Sequence, residues 1–235
     1  CRRFLYQATG KKIEPLVHPL ASMAEMDRWS QKYIGQYFNS TEGRKLLIRA
    51  TFQQAKEDGV TVLEIGEDVW GLKEFFHNDI DELVESFTSA QREIAPEIEL
   101  RLQIGLSRHC PISYLEDCLS HFWGNKNFYS IDLYGDEFAQ PIENFKGIYR
   151  RAKKEGLRLK AHVGEWGTAK DVRTAVEELE LDEVQHGIAA AGDESVIRFL
   201  TENKIRLNIT PTSNVLLGRV ADMAEHPIGK LYRSG

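Results

Sequence analysis

Leu157-Arg158-Leu159-Lys160-Ala161-His162-Val163-Gly164-Glu165 is the stretch on which the reading of this chain turns. From Leu157 to Ala161 apolar and basic residues alternate, the period of a strand with one buried face. Polar residues then gather at the strand's end. A helical segment opens at Thr168, with Val172, Ala175, Val176 and Leu179 on one face. The pattern repeats at once. Glu183-Val184-Gln185 leads into His186-Gly187, and Lys204-Ile205-Arg206-Leu207 leads into Asn208-Ile209-Thr210-Pro211-Thr212-Ser213-Asn214. Three successive strand ends therefore carry the residues able to do chemistry.

The same alternation extends toward the N-terminus. Gly59 to Ile65 reads as a β-branched strand closing on Gly66-Glu67-Asp68, and Asp79 to Ile94 as a helix opened by Asn78 or Asp79. Ile98 to Leu106 is a further strand, ending at Ser107-Arg108-His109, and Pro111 starts a helix to about Trp123. Phe128 to Leu133 is the next strand, followed by Gly135-Asp136-Glu137. Phe145, Ile148, Tyr149 and Ala152 then repeat at helical spacing up to Gly156, a residue suited to end a helix. Val196, Phe199 and Leu200 mark another helix after Gly192-Asp193, and one more helix precedes Ser234-Gly235.

Strand and helix alternating through six strands is the signature of a parallel α/β fold. Polar residues at most of the strand ends favour a TIM-like (β/α)8 barrel over a doubly wound sheet, because that barrel collects all its strand ends around one mouth. Neither GxGxxG nor GxxxxGK[ST] occurs, which argues against a nucleotide cofactor. Six strands do not close an eight-stranded barrel, and such barrels take about 250 residues. The expectation is a single, incomplete barrel domain over residues 1–235 that lacks the first and last strands. Residues 1–40 form a helical lead-in, with a helix over Ser22 to Phe38. Asn39-Ser40-Thr41 is a break and cap before a helix over Glu42 to Asp58. The start on Cys1 and the stop at Gly235 suggest a segment of something longer.

A formal charge of −6 with no isolated Lys/Arg cluster argues against nucleic acid as a partner, and no run is long enough to span a bilayer. Cys1, Cys110 and Cys118 have no CxxC spacing, which points away from a disulfide framework or thiolate zinc site and toward a cytoplasmic protein. Oligomeric state is not legible.

His162-Val163-Gly164-Glu165, then His186-Gly187, then Thr210-Pro211-Thr212-Ser213-Asn214, preceded by Ile131-Asp132-Leu133-Tyr134-Gly135-Asp136-Glu137, resembles the adenosine deaminase family of the amidohydrolase superfamily. The resemblance spans residues 42–235 and is sharpest from Ile131 to Asn214. It implies zinc as cofactor, with His162 as a metal ligand, and a small aminopurine as substrate, adenosine first. It implies that Glu165 protonates a purine ring nitrogen and that His186 orients and deprotonates the attacking water. Gly135 would contact the purine through its N–H, Asp132 and Asp136 would support that wall, and Tyr134 could narrow the pocket. Gly164, without a side chain, would let the ring approach.

The chemistry is coherent. Zinc lowers the pKa of bound water from 15.7 to roughly 7, and a ring losing aromaticity needs a carboxylic acid kept neutral by burial. The family's His-x-His pair at the first strand and Asp at the last are not present, and His18, His77, His109, His121 and His226 stand singly. The chain alone is therefore expected to be inactive, with activity belonging to a complete enzyme. The alternative is a metal-free degenerate barrel that binds purines or acts as a scaffold. A further alternative is a metal-free barrel enzyme using Glu165 with Glu64 or Asp132 on a sugar.

Overall fold

The computed structural model describes residues 2–16 and 18–235. Six strands form: β1 (Val62–Asp68), β2 (Glu99–Ser107), β3 (Phe128–Tyr134), β4 (Arg158–Val163), β5 (Glu183–His186) and β6 (Arg206–Asn208). They follow one another in chain order in the sheet, and each is succeeded by helix. This is the connectivity of a (β/α) barrel. The chain divides into two compact units, one centred on Ala24–Ile104 and taking in Asp117–Tyr129, the other centred on Ser130–Gly235 and taking in Gly105–Glu116.

In the first unit the lead-in is helical but broken. Helices cover Arg2–Thr9, Met23–Tyr33 and Gly35–Phe38, the first of which sequence patterning misses. Phe4, Leu5, Ile13, Tyr37 and Ala50 form a buried cluster, with Trp29, Tyr33, Ile34, Leu46 and Leu47 packed against it. Ser40 caps the helix Thr41–Glu57, its side chain accepting from Gly43 N at 3.1 Å. β1 starts three residues later than patterning predicts, because Gly59 takes φ +72° in the turn that closes the preceding helix. Val69–Phe76 is a short helix that patterning does not find, burying Val69, Leu72 and Phe76.

At the end of β1 the Glu67 carboxylate, 7% exposed, receives Arg44 Nη1 at 2.8 Å and the Asp68 N–H at 3.0 Å. Burial pushes its pKa up to about 7; Arg44 works in the opposite direction and the charge of Asp68 adds to the rise. A carboxyl that holds its proton more firmly folded than unfolded contributes stability that declines as pH rises. Stability should therefore fall between about pH 4.5 and 7, and in Glu67→Gln this part of the pH dependence should flatten, as read by urea unfolding across that range. An unchanged slope would show that Glu67 stays ionised throughout.

In the second unit β3 to β6 are parallel, with Leu133 beside Ala161, Val163 beside His186, and Gln185 beside Asn208. Leu159, Ala161 and Val163 are buried, as alternation predicts. The other face of β4 is polar: Lys160 is buried 3.3 Å from Glu183, which also receives Asn208 Nδ2 at 2.9 Å. The helix Ala169–Leu179 opens on a capping box in which Thr168 and Asp171 satisfy each other's backbone N–H. Asp193 caps Glu194–Glu202, and Gly156, at φ +83°, ends Lys146–Glu155. No helix among the described residues is long and apolar enough to cross a membrane.

Candidate active site

The C-terminal ends of β3, β4 and β5 bring Asp132, His162 and Gln185 together. Asp132, 2% exposed, lies with Oδ1 3.3 Å from His162 Nδ1 and accepts from Gln185 Nε2 at 3.2 Å on Oδ2. A carboxylate on one ring nitrogen fixes an imidazole's orientation and leaves the other nitrogen, here Nε2, for a ligand. Tyr134 stands edge-on to the His162 ring, with centroids 6.4 Å apart.

His186 reaches the cluster by an unusual backbone. Strict alternation would put it on the same face as Val184, yet its φ is +66°, a conformation that side-chain-bearing residues rarely adopt. Such a residue costs on the order of 1–3 kcal/mol and is held by its surroundings. The turn brings the imidazole to Glu165 Oε1 (3.3 Å), Thr210 Oγ1 (3.1 Å) and Asn214 Nδ2 (3.1 Å), all measured from Nδ1. The rings of His162 and His186 are 5.3 Å apart. Burial pushes the His186 pKa down to about 4, helped by the charge of His162, so the ring is neutral at pH 7.

Glu165 sits in the loop after β4 with its side chain 8% exposed. Burial raises its carboxyl pKa, His162 opposes the rise, and the neighbouring charge of Glu137 adds to it. Glu137 also builds the loop. Its Oε2 accepts from Gly164 N at 2.7 Å, and its Oε1 from Glu165 N at 2.9 Å and Trp166 N at 2.8 Å. One buried carboxylate thus satisfies three consecutive backbone N–H groups and fixes the segment that carries Glu165.

Gly164 has a local reason of its own. Its φ is +73°, and a Cβ would lie 2.3 Å from Val172 Cγ2, so the fit of loop to helix demands glycine whatever binds nearby. Gly135, at φ +103°, lies close to the His109 ring, where a Cβ would come within 3.2 Å of Cδ2. Asp136 bonds within the same region, accepting from Phe138 N at 2.9 Å, while its own N–H lies 3.4 Å from His109 Nε2. The structure thus gathers His162, Asp132, Glu165 and His186, while the bonds of Asp136 remain in the β3 loop and with His109.

Four residues join the cluster that the sequence does not assign to it: Gln185, Glu137, Asn214 and His226. Asn214 and Glu137 lie inside stretches whose resemblance is legible, but their partners are distant along the chain. A cavity of ≈ 310 Å³ lined by Arg108, Glu137, Glu143 and Asp171 is bordered by neither His162 nor His186.

The adenosine deaminase family model matches residues 7–235. The chain belongs to the adenosine deaminase family. It is 34% identical over 229 residues to a putative adenosine/adenine deaminase of Treponema pallidum, covering 97% of this chain and 76% of that protein. It spans 57% and 62% of the lengths of two curated adenine deaminases, from Rhodospirillum rubrum and Rhodopseudomonas palustris. The fold is shared with the adenine deaminase of Arthrobacter aurescens, with a TM-score of 0.78 at 21% identity over 98% of this chain and 73% of that one. An amidohydrolase from Burkhoderia ambifaria with bound Zn superposes with a TM-score of 0.71 at 21% identity, over 84% of this chain and 56% of that chain. These likenesses make this adenosine deaminase family member a TIM-barrel-type, deaminase-like hydrolase.

Proposed function

We propose that the complete protein removes the exocyclic amino group of an aminopurine by hydrolysis and releases ammonia, with adenosine or adenine as substrate, and that residues 1–235 alone are inactive. The observation that carries this reading is the buried pair of Glu165 and His186, 3.3 Å apart at the ends of two adjacent strands, beside His162. An acid that keeps its proton near pH 7 is what a purine ring nitrogen needs as water adds to the neighbouring carbon. Glu165, whose burial raises its carboxyl pKa, is the carboxyl placed for that role. The water's oxygen forms a bond to the ring carbon and the ring nitrogen takes the Glu165 proton; of the water's two protons one joins the amino group, which leaves as ammonia as its C–N bond breaks, and the other returns to Glu165. His186 is the neutral imidazole that orients the water, and Asp132 holds His162. Gly135 N–H would meet the purine, with Asp136 shaping the same loop.

Zinc is the metal that the family relationship and the Zn-bound amidohydrolase support, and it would supply hydroxide near neutral pH. His162 is one suitable donor. Among the described residues, however, no group of three or more His, Cys, Asp or Glu side chains is placed to hold a metal ion, whereas a catalytic zinc takes about three protein ligands. The described residues do not make a zinc site by themselves, so the roles above are confined to proton handling and positioning. The test is ammonia release from adenosine, adenine and AMP by the complete zinc-loaded enzyme, in which the family's remaining metal ligands join His162. Release from adenosine or adenine, and less from AMP, is expected; release from none of the three removes the reading.

A further inference from the structure

Asn214, fully buried, touches three groups of the site at once. Its Nδ2 is 3.2 Å from Glu165 Oε1 and 3.1 Å from His186 Nδ1, and its Oδ1 is 3.1 Å from His226 Nε2. His226, 7% exposed, receives the backbone N–H of Ile228 on its Nδ1 at 3.0 Å. These contacts do not carry equal information. The orientation of an Asn amide and the proton position of a His follow from their surroundings, whereas a backbone N–H is always a donor.

The Ile228 N–H therefore gives the chain of bonds its direction. Nδ1 of His226 is an acceptor, so the neutral ring carries its proton on Nε2. An Nδ1 that accepts a backbone N–H bears no proton, so the ring is neutral, and burial lowers its pKa in the same sense. An N–H at Nε2 needs the Asn214 oxygen opposite it, which turns the amide NH₂ toward Glu165 and His186. The opposite orientation would set the amide NH₂ against the His226 N–H. Nδ1 of His186 is then an acceptor too: it faces that NH₂ and the Thr210 hydroxyl, each 3.1 Å away and able to donate to it, and the Glu165 carboxyl, 3.3 Å away, which meets a bare Nδ1 without repulsion in the acid form the deaminase reading gives it.

We infer that this relay from Ile228 N–H through His226 and Asn214 places the resting proton of His186 on Nε2, which makes Asn214 and His226 positioning residues for the Glu165–His186 pair. For its catalytic meaning this rests on the deaminase reading. An Nε2 that already carries a proton orients the water by donating to it, and does not accept the water's proton in that state. The sequence resemblance gives His186 both tasks; the relay separates them.

The test reads tautomers rather than turnover. In protein labelled with nitrogen-15 at histidine, long-range proton–nitrogen spectra at pH 7 should show His186 and His226 each protonated on Nε2 and bare on Nδ1. Asn214→Asp replaces the amide by a group that only accepts, so His186 should move its proton to Nδ1 while His226 stays as it was. His186 protonated on Nδ1 in the unaltered protein overturns the inference, as does an unmoved His186 proton in folded Asn214→Asp. If Asn214→Asp does not fold, the unaltered protein's spectrum decides alone. An inactive complete enzyme with the expected tautomers would remove the deaminase reading and leave the relay standing, and an active one with a His186 Nδ1–H would do the reverse.

Discussion

Glu165→Gln is expected to lower kcat by about 10² to 10⁴, the usual worth of a positioned proton donor, with little change in KM or in folding. The side chain is buried 3.3 Å from His186 Nδ1, and burial raises its carboxyl pKa, which favours the protonated form. Glutamine has nearly the same shape and retains an oxygen to accept from Asn214 Nδ2, which lies 3.2 Å from Glu165 Oε1. What it lacks is an acidic O–H for the ring nitrogen. The loss should therefore fall on the chemical step, and steady-state kinetics with adenosine and adenine would show it. Full activity in Glu165→Gln would make the acid assignment wrong.

Glu137→Ala should have the largest effect on the fold around the site. Three N–H groups, of Gly164, Glu165 and Trp166, converge on this one buried carboxylate. A buried donor left without a partner costs roughly 1–3 kcal/mol, so removing the acceptor from all three should cost about 3 kcal/mol or more, even with some relaxation. Glu137→Gln keeps one acceptor oxygen but sets an NH₂ against an N–H, and should fall between the two. Urea unfolding measures the loss, and turnover should fall in the same order because the loop carries Glu165. A Glu137→Ala protein as stable as the original would mean that the loop finds other acceptors and that Glu137 does not hold it.

The sequence was most legible where local signals agree. Between Leu157 and Leu179, alternation, the polar residues gathered at the strand's end, the Thr168 start and an apolar helical face all describe the same strand and helix, and β4 and its helix form there. The lead-in was poorly legible because its short helices are stabilised by mutual packing of Phe4, Leu5, Tyr37 and Trp29 rather than by their own periodicity. Val69–Phe76 escaped notice because two turns of helix give too short a pattern.

At the site, the strand-end rule found His162, Glu165 and His186 because position along a strand is a local property. It could not show how His186 arrives. Alternation aligns that residue with Val184, and only the left-handed backbone turns it to Glu165 and Asn214. The task of Glu137 is not legible in the sequence, since its three donors lie 27 to 29 residues further along the chain. His226 read as a solitary histidine for the same reason. Its partners, Asn214 and the Ile228 N–H, are set by the fold of the last helical turns.

The measurement closest to the central claim is turnover of adenosine or adenine by the complete zinc-loaded enzyme in water enriched in oxygen-18. Hydrolytic deamination predicts ammonia and a hypoxanthine or inosine product that carries the solvent's heavy oxygen on the carbon that bore the amino group. Purine that comes back unchanged, or a deaminated product without the label, would contradict it.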